Sequence, residues 1–155
     1  MAKPIPEGYH AVTTSFTFKD SQKAIDFYKK AFSGKVLDLM KRPDGRGIMH
    51  ATMRIGDSIV MMGDEGPQCR SAETLGGSPI SLYLYVSDAD AAFKQAVAAG
   101  GAVTMPMADM FWGDRAGGIK DPFGYSWMIA SHKRDLTNDE IQKGADAFFA
   151  EMAKK

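Results

Sequence analysis

Few side chains in this sequence can do chemistry at neutral pH. They are three histidines, His10, His50 and His132, and one cysteine, Cys69. A histidine-based metal centre needs imidazoles or carboxylates gathered at a local spacing, such as i, i+4 on one helix face. No two of these histidines stand at such a spacing. Each is read either as a surface or packing residue or as one member of a site assembled by the fold, with His50 the first to consider. Cys69 sits in a Gly/Pro/Ser-rich connection and reads as a loop thiol. No Ser/Cys–His signature and no glycine-rich phosphate loop is present. The run Arg115-Ala116-Gly117-Gly118 reads instead as a bent strand. Trp112, Asp114 and Arg115 place an indole, a carboxylate and a guanidinium within four positions. Together they can rim a binding site; alternatively Trp112 fills a loop core and Asp114–Arg115 is a surface pair.

The elements that position these groups follow from periodicity. Thr13–Phe18 is a strand with Phe16 and Phe18 on one face and Thr13, Ser15 and Thr17 on the other. Asp20 or Ser21 caps a helix whose stripe is Ala24, Ile25, Tyr28, Ala31 and Phe32, with Gly34 ending it. Val36–Met40 is a strand, and Ile48–Arg54 with Ser58–Met62 is a hairpin. The same order then restarts: strand Ser81–Val86, helix stripe Ala89, Ala92, Phe93, Ala96 and Val97, strand Ala102–Met105, a loop from Pro106 to Gly113, and a second hairpin. That hairpin turns at Asp121-Pro122-Phe123-Gly124, where Pro presets φ and Gly accepts a positive φ. Thr137 and Glu140 form a capping box before a terminal helix. Its apolar positions Ile141, Ala145, Phe148, Phe149 and Met152 must cover either the domain's own sheet or a partner subunit.

The restart keeps a constant step. Thr13/Ser81, Phe16/Leu84, Asp20/Asp88, Ala24/Ala92 and Gly56/Gly124 are all 68 apart, while Gly34/Gly101 are 67 apart. A twofold β-α-β-β-β duplication explains this order, and its period is too long for a solenoid. The modules are expected at residues 8–66 and 80–133, joined by a linker at 67–79 and followed by a helical segment at 134–155. Residues 1–9, with two prolines, are expected as an extended arm.

Composition narrows the partners. The 155 residues carry 19 basic and 19 acidic side chains, so no global field favours nucleic acid or an anionic membrane. No apolar run approaches the roughly 20 residues of a membrane-spanning helix. A lone cysteine forms no internal disulfide, and a cytoplasmic location is expected. Eleven methionines suit either core filling or an adaptable pocket.

Three phrases carry a family resemblance: Ala24–Phe32 (AIDFYKKAF), Arg54–Ser58 (RIGDS) and Asp121–Trp127 (DPFGYSW). With the duplication, they resemble the vicinal oxygen chelate superfamily of glyoxalases, bleomycin resistance proteins and extradiol dioxygenases. Phe111–Arg115 (FWGDR) is similar to a phrase of its PhnB-like branch, historically linked by label to 3-demethylubiquinone methyltransferases. The resemblance implies an α+β fold in which two half-barrel sheets enclose a pocket. It also implies a homodimer, a state that leaves room for modules or the terminal helix to be exchanged between subunits. Metal enzymes of the superfamily carry ligands on the first and last strands of each module. Carried onto this sequence, within one residue of alignment, those positions are Thr13, Val60, Ser81 and Met128. Two hydroxyls, a valine and a methionine do not hold a catalytic divalent ion, so no metal or other cofactor is expected.

Alternation predicts the pocket lining: Thr13, Ser15, Thr17, Ser58, Val60, Met62, Ser81, Tyr83, Tyr85, Ser126, Met128 and Ala130. His50, Trp112, Asp114 and Arg115 are added as candidate contacts. Two function classes follow. One is metal-independent binding of a small apolar or aromatic molecule between the modules. The other is a glyoxalase-like lyase or dioxygenase with a displaced metal site.

Overall fold

A computed structural model describes residues 2–154 of the chain. The expected arm and terminal segment therefore extend by one residue each, 1 and 155, beyond the described residues. The element order is β1 (Thr14–Phe18), α1 (Ser21–Phe32), β2 (Lys35–Lys41), β3 (Ile48–Ile55), β4 (Ser58–Asp64), α2 (Ala72–Leu75), β5 (Ser81–Tyr85), α3 (Ala89–Ala98), β6 (Ala102–Asp109), β7 (Asp114–Lys120), β8 (Ser126–His132) and α4 (Asn138–Met152). Two four-stranded sheets result, ordered β1-β4-β3-β2 and β5-β8-β7-β6. In each, the first strand runs parallel to the last and the remaining pairs are antiparallel. The α+β duplication is thus present as two open sheets of identical topology. No helix among the described residues is long and apolar enough to cross a membrane.

Local chemistry explains the element ends. Asp20 and Asp88 cap α1 and α3 through their carboxylates, which accept from the backbone N–H of Lys23 and Ala91. The left-handed residue closing α1 is Ser33, φ 54°, and not the glycine after it. The capping box of Thr137 and Glu140 starts α4 as expected. The segment expected as a plain linker contains α2, capped by Ser71 and ended by Gly76. The loop expected from Pro106 is strand through Asp109. β6 is an edge strand, so Pro106 need not donate to a neighbour.

The registers fix which residues share a face. Thr14 and Phe16 pair with Val60 and Met62, and Met53 pairs with Val60. These side chains face α1, where Ala24, Ile25, Phe27, Tyr28 and Ala31 are buried. In the second module Leu82 and Leu84 pair with Trp127 and Ile129 and face α3. α1 and α3 also touch each other, and the two helix-covered sides merge into one core. The expected outward facing of Ser58, Val60 and Met62 is therefore corrected by one residue. Ile59 and Met61 take the open face, and Val60 is 8% exposed within the core.

The correction has a simple origin. Ser15 and Tyr83 are equivalent by pairing and stand 68 apart, but their partners Met61 and Met128 stand 67 apart. Gly56 lies in a two-residue turn between Ile55 and Ser58, whereas Gly124 lies in a five-residue turn between Lys120 and Ser126. The 68-residue match of the two glycines compares turns of different length.

The longer turn clamps the modules together. Asp121 is buried and accepts from the Tyr28 hydroxyl at 2.6 Å, Trp127 Nε1 at 3.0 Å, and the backbone N–H groups of Phe123 and Tyr125 at 3.0 and 2.9 Å. Burial pushes its carboxyl up, against these four bonds. The Tyr125 hydroxyl donates to the Thr17 carbonyl at 2.9 Å. Phe16 packs edge-on against Tyr125, with centroids 4.9 Å apart. One turn thus ties β7 and β8 to both α1 and β1.

Candidate functional site

The open faces of the two sheets differ in cover. On the first sheet it carries Ser15, Thr17, Ile59, Met61, His50, Thr52 and Arg54. The N-terminal arm lies over part of it. Tyr9 Oη stands 3.5 Å from Thr52 Oγ1, and His50 Nε2 stands 3.2 Å from the same oxygen. Gly8 lies against Ile59 and Arg54. Thr13 precedes β1 and donates its hydroxyl to the His10 carbonyl at 3.1 Å.

The second sheet's open face carries Ser81, Tyr83 and Tyr85 from β5, Ser126, Met128, Ala130 and His132 from β8, and Asp114, Ala116 and Gly118 from β7. Asp114 is 3% exposed and organises this face. Its Oδ2 accepts from Tyr83 at 3.1 Å, Tyr85 at 3.0 Å and Trp112 Nε1 at 3.1 Å. Its Oδ1 receives His132 Nδ1 at 2.8 Å, and His132 Nε2 meets Asp135 at 2.9 Å. Burial raises the Asp114 carboxyl, but bonds from His132, Tyr85, Tyr83 and Trp112 outweigh it and hold the group below its usual range. Asp114 and then Asp135 raise the His132 imidazole. Burial and the Asp114 charge push Tyr85 up to about 12. The Tyr83 and Tyr85 rings lie 5.0 Å apart and remain 43% and 58% exposed.

Two supports hold Asp114 and Trp112 in place. Gly113 sits at φ +101°, and its carbonyl accepts from the N–H groups of Lys133 and Arg134 at 3.0 and 3.1 Å. Behind the loop, Gly144 of α4 lies against Phe111, whose ring packs on Phe148 at 5.7 Å and on Trp112 at 4.9 Å. The terminal helix therefore buttresses the Trp112 loop, leaving Phe149 and Met152 exposed.

The sequence-derived candidates thus divide. Ser81, Tyr83, Met128, Asp114 and Trp112 come together on the second sheet. Ser15 and His50 lie on the open face of the first, with Thr13 just before it. Val60 lies in the core. Arg115 points to the helix side, where Nε and Nη2 grip Asp90 of α3 at 2.8 and 2.7 Å and Nη1 meets Asp109 at 3.4 Å. Sequence reasoning missed His132 and Asp135 as members. The signal was strand parity: His132 lies two residues past Ala130 on the same face, but only the register shows that it pairs with Asp114.

A cleft of about 420 Å³ separates the modules, lined by Thr14, Ile55–Ser58, Val60, Leu82–Tyr85 and Trp127. None of the first sheet's open-face residues lines it. Within one chain, then, this cleft is not a cavity between two open faces.

The metal positions that the family resemblance implies carry weak donors. With the register corrected they are Thr13, Met61, Ser81 and Met128: two hydroxyls and two thioethers. Among the described residues no group of three or more His, Cys, Asp or Glu is placed to hold a metal ion. His132 has both ring nitrogens engaged by carboxylates. The residues present do not fit a catalytic divalent ion.

Comparison with known proteins agrees with this architecture. The chain is 39% identical over 137 residues to the Mycobacterium bovis protein Mb0911c, covering 85% of this chain and 90% of the relative. Its structure is similar to that of TioX from Micromonospora sp. ML1, with TM-score 0.62, 25% identity and coverage of 83% of this chain and 100% of TioX. The PhnB protein of Bacillus cereus shares the fold at TM-score 0.62 and 20% identity, covering 79% of this chain and 99% of that one. The family model for the Glyoxalase/Bleomycin resistance protein/Dioxygenase superfamily matches residues 10–129, and the chain belongs to that superfamily.

Proposed function

We propose that this chain binds a small, planar or apolar molecule on the open face of its second sheet, without a metal ion. One observation carries the reading. Tyr83, Tyr85 and Trp112 form an exposed aromatic platform whose geometry is locked by a single buried carboxylate, Asp114. Fixed, partly exposed aromatic groups lose little entropy when a flat ligand stacks on them. Met128 supplies an adaptable apolar floor beside Tyr83. Binding there rests on apolar burial, at roughly 25 cal/mol per Å² before entropy costs. Stacking adds about 0.5–1.5 kcal/mol per aromatic pair.

The alternative, a lyase or dioxygenase with a displaced metal, has less support, because no group of three or more His, Cys, Asp or Glu among the described residues is placed to hold a metal ion. His50, its leading candidate ligand, faces Thr52 and Arg54 on the other sheet. A homodimer belongs to the proposed reading. Tyr83 and Tyr85 stay exposed on the second sheet's open face, and Phe148, Phe149 and Met152 leave an apolar stripe on α4. Light scattering at micromolar concentration is expected to give twice the chain mass, and a monomer mass contradicts this part. A lone free cysteine fits a reducing, cytoplasmic setting.

The test is calorimetric titration of acridine, a neutral planar probe, into chelator-treated protein. Saturable binding that is weakened by Trp112→Ala is expected. Zinc, nickel or manganese should change neither the melting temperature nor the acridine affinity. Saturable stabilisation by low metal concentrations overturns the metal-independent reading.

A further inference from the structure

The donor balance of the Asp114 cluster is one-sided, apart from the Ser81 and Ser126 hydroxyls farther along the same face. The Tyr83 and Tyr85 hydroxyl protons point at Asp114 Oδ2, and so does the Trp112 indole proton. His132 lies between two carboxylates, and satisfying both requires an N–H on each ring nitrogen. All four donor groups are therefore turned inward or aside. Trp112 Nε1 also donates to the Tyr83 hydroxyl at 3.3 Å, so the platform offers a ligand the Tyr85 lone pairs, one remaining on Tyr83, and the π faces.

Charge points the same way. Asp114 and Asp135 carry two negative charges against one on the imidazolium, leaving the cluster net negative. The neighbouring cations Arg115, Lys133 and Arg134 line a separate cleft of about 470 Å³ with Asp109, Gly113 and Asp114. Arg115 is paired with Asp90 and Asp109 on the helix side. Lys133 follows β8 and helps hold the Asp90 carboxyl down. Arg134 acts on Glu140 at the start of α4.

Resting on the binding reading above, we infer that this site selects a planar ligand carrying positive charge or exposed N–H donors, such as a protonated aromatic amine. Its N–H groups would meet the phenolic oxygens of Tyr83 and Tyr85, and its charge would lie over their rings and above the Asp114 carboxylate. An anionic ligand of the same shape would meet acceptors and a negative charge.

The test uses three matched tricycles on the full chain, at neutral pH and low salt. 9-Aminoacridine is cationic, acridine is neutral and acridine-9-carboxylate is anionic. The cation is expected to bind about tenfold tighter than acridine, one charge-assisted contact's worth. The anion should bind more weakly than acridine, and the cation's advantage should shrink as salt is added. Tyr85→Phe keeps an exposed ring and removes an acceptor oxygen. It should reduce the cation-to-acridine affinity ratio several-fold, whatever its effect on acridine binding itself. Equal affinities for all three, or a preference for the carboxylate, overturn the inference while acridine binding keeps the proposed function. Binding by none of the three overturns both. An undiminished cation preference in Tyr85→Phe also counts against the inference.

Discussion

Replacing Asp114 by Asn keeps the side chain's shape and removes its charge. Three donors converge on Oδ2 at 3.0–3.1 Å, and His132 meets Oδ1 at 2.8 Å. The amide puts an –NH2 donor where one carboxylate oxygen stood, so at least one of the four donors loses its partner. Leaving one such group unpaired costs about 1–3 kcal/mol, and the remaining bonds fall from charge-assisted to neutral strength, about 1 kcal/mol more in all. The expected loss is roughly 2–4 kcal/mol. For a chain of this length that lowers the melting temperature by roughly 5–15 °C. Differential scanning calorimetry measures it. The same substitution removes the larger of the two influences that raise the His132 imidazole. Its NMR titration should move down toward the ordinary histidine value, with only Asp135 still holding it up. The pH sign follows. Because the folded pKa of His132 is raised, its contribution is present in full below the unfolded value and is lost as pH rises through the folded one. The stability gap between wild type and Asp114→Asn should therefore narrow on the alkaline side. A melting temperature within a degree or two of wild type, together with an unmoved His132 titration, refutes the assignment of Asp114 as the hub.

Other perturbations follow from the same geometry. Tyr28→Phe takes the 2.6 Å donor from buried Asp121 and should cost about 1.5–3 kcal/mol in denaturant unfolding, because the bond is to a carboxylate. Gly113→Ala places a methyl group against the Arg134 carbonyl at φ +101°. It should displace the Trp112 loop, visible as loss of acridine affinity with the far-ultraviolet circular dichroism retained. Arg115→Ala breaks partly exposed ion pairs with Asp90 and Asp109, so it should cost at most about 1 kcal/mol and leave acridine binding intact. A large loss of affinity there would return Arg115 to the site.

The duplication was legible because its markers are local. Asp20 and Asp88 cap equivalent helices, and Phe16 and Leu84 mark equivalent core positions. Half of the site was legible by the same logic. Alternation from Leu82 and Leu84 placed Tyr83 and Tyr85 on the face opposite the core. It failed on β4 because a turn can absorb one residue without disturbing any local pattern. A one-residue slip exchanges the faces of a strand, so Val60 went inward and Met61 outward. Asp114 and Arg115 are adjacent in sequence, yet strand geometry sends one to the platform and the other to α3. Parity alone could not choose between them, since the outcome depends on which face α3 covers. The union of Asp114 with His132 and Asp135 depends on antiparallel pairing across a turn and on a loop, and no local spacing encodes it.

The most direct test of the central claim uses the two tryptophan indoles as reporters. Trp112 Nε1 lies at the platform, whereas Trp127 Nε1 is buried against Asp121. In 15N-labelled protein with a chelator present, titration with 9-aminoacridine should shift the Trp112 indole resonance saturably and leave that of Trp127 nearly still. A Trp112 resonance that does not move, or that moves only once a divalent metal is added, contradicts metal-independent binding on this face.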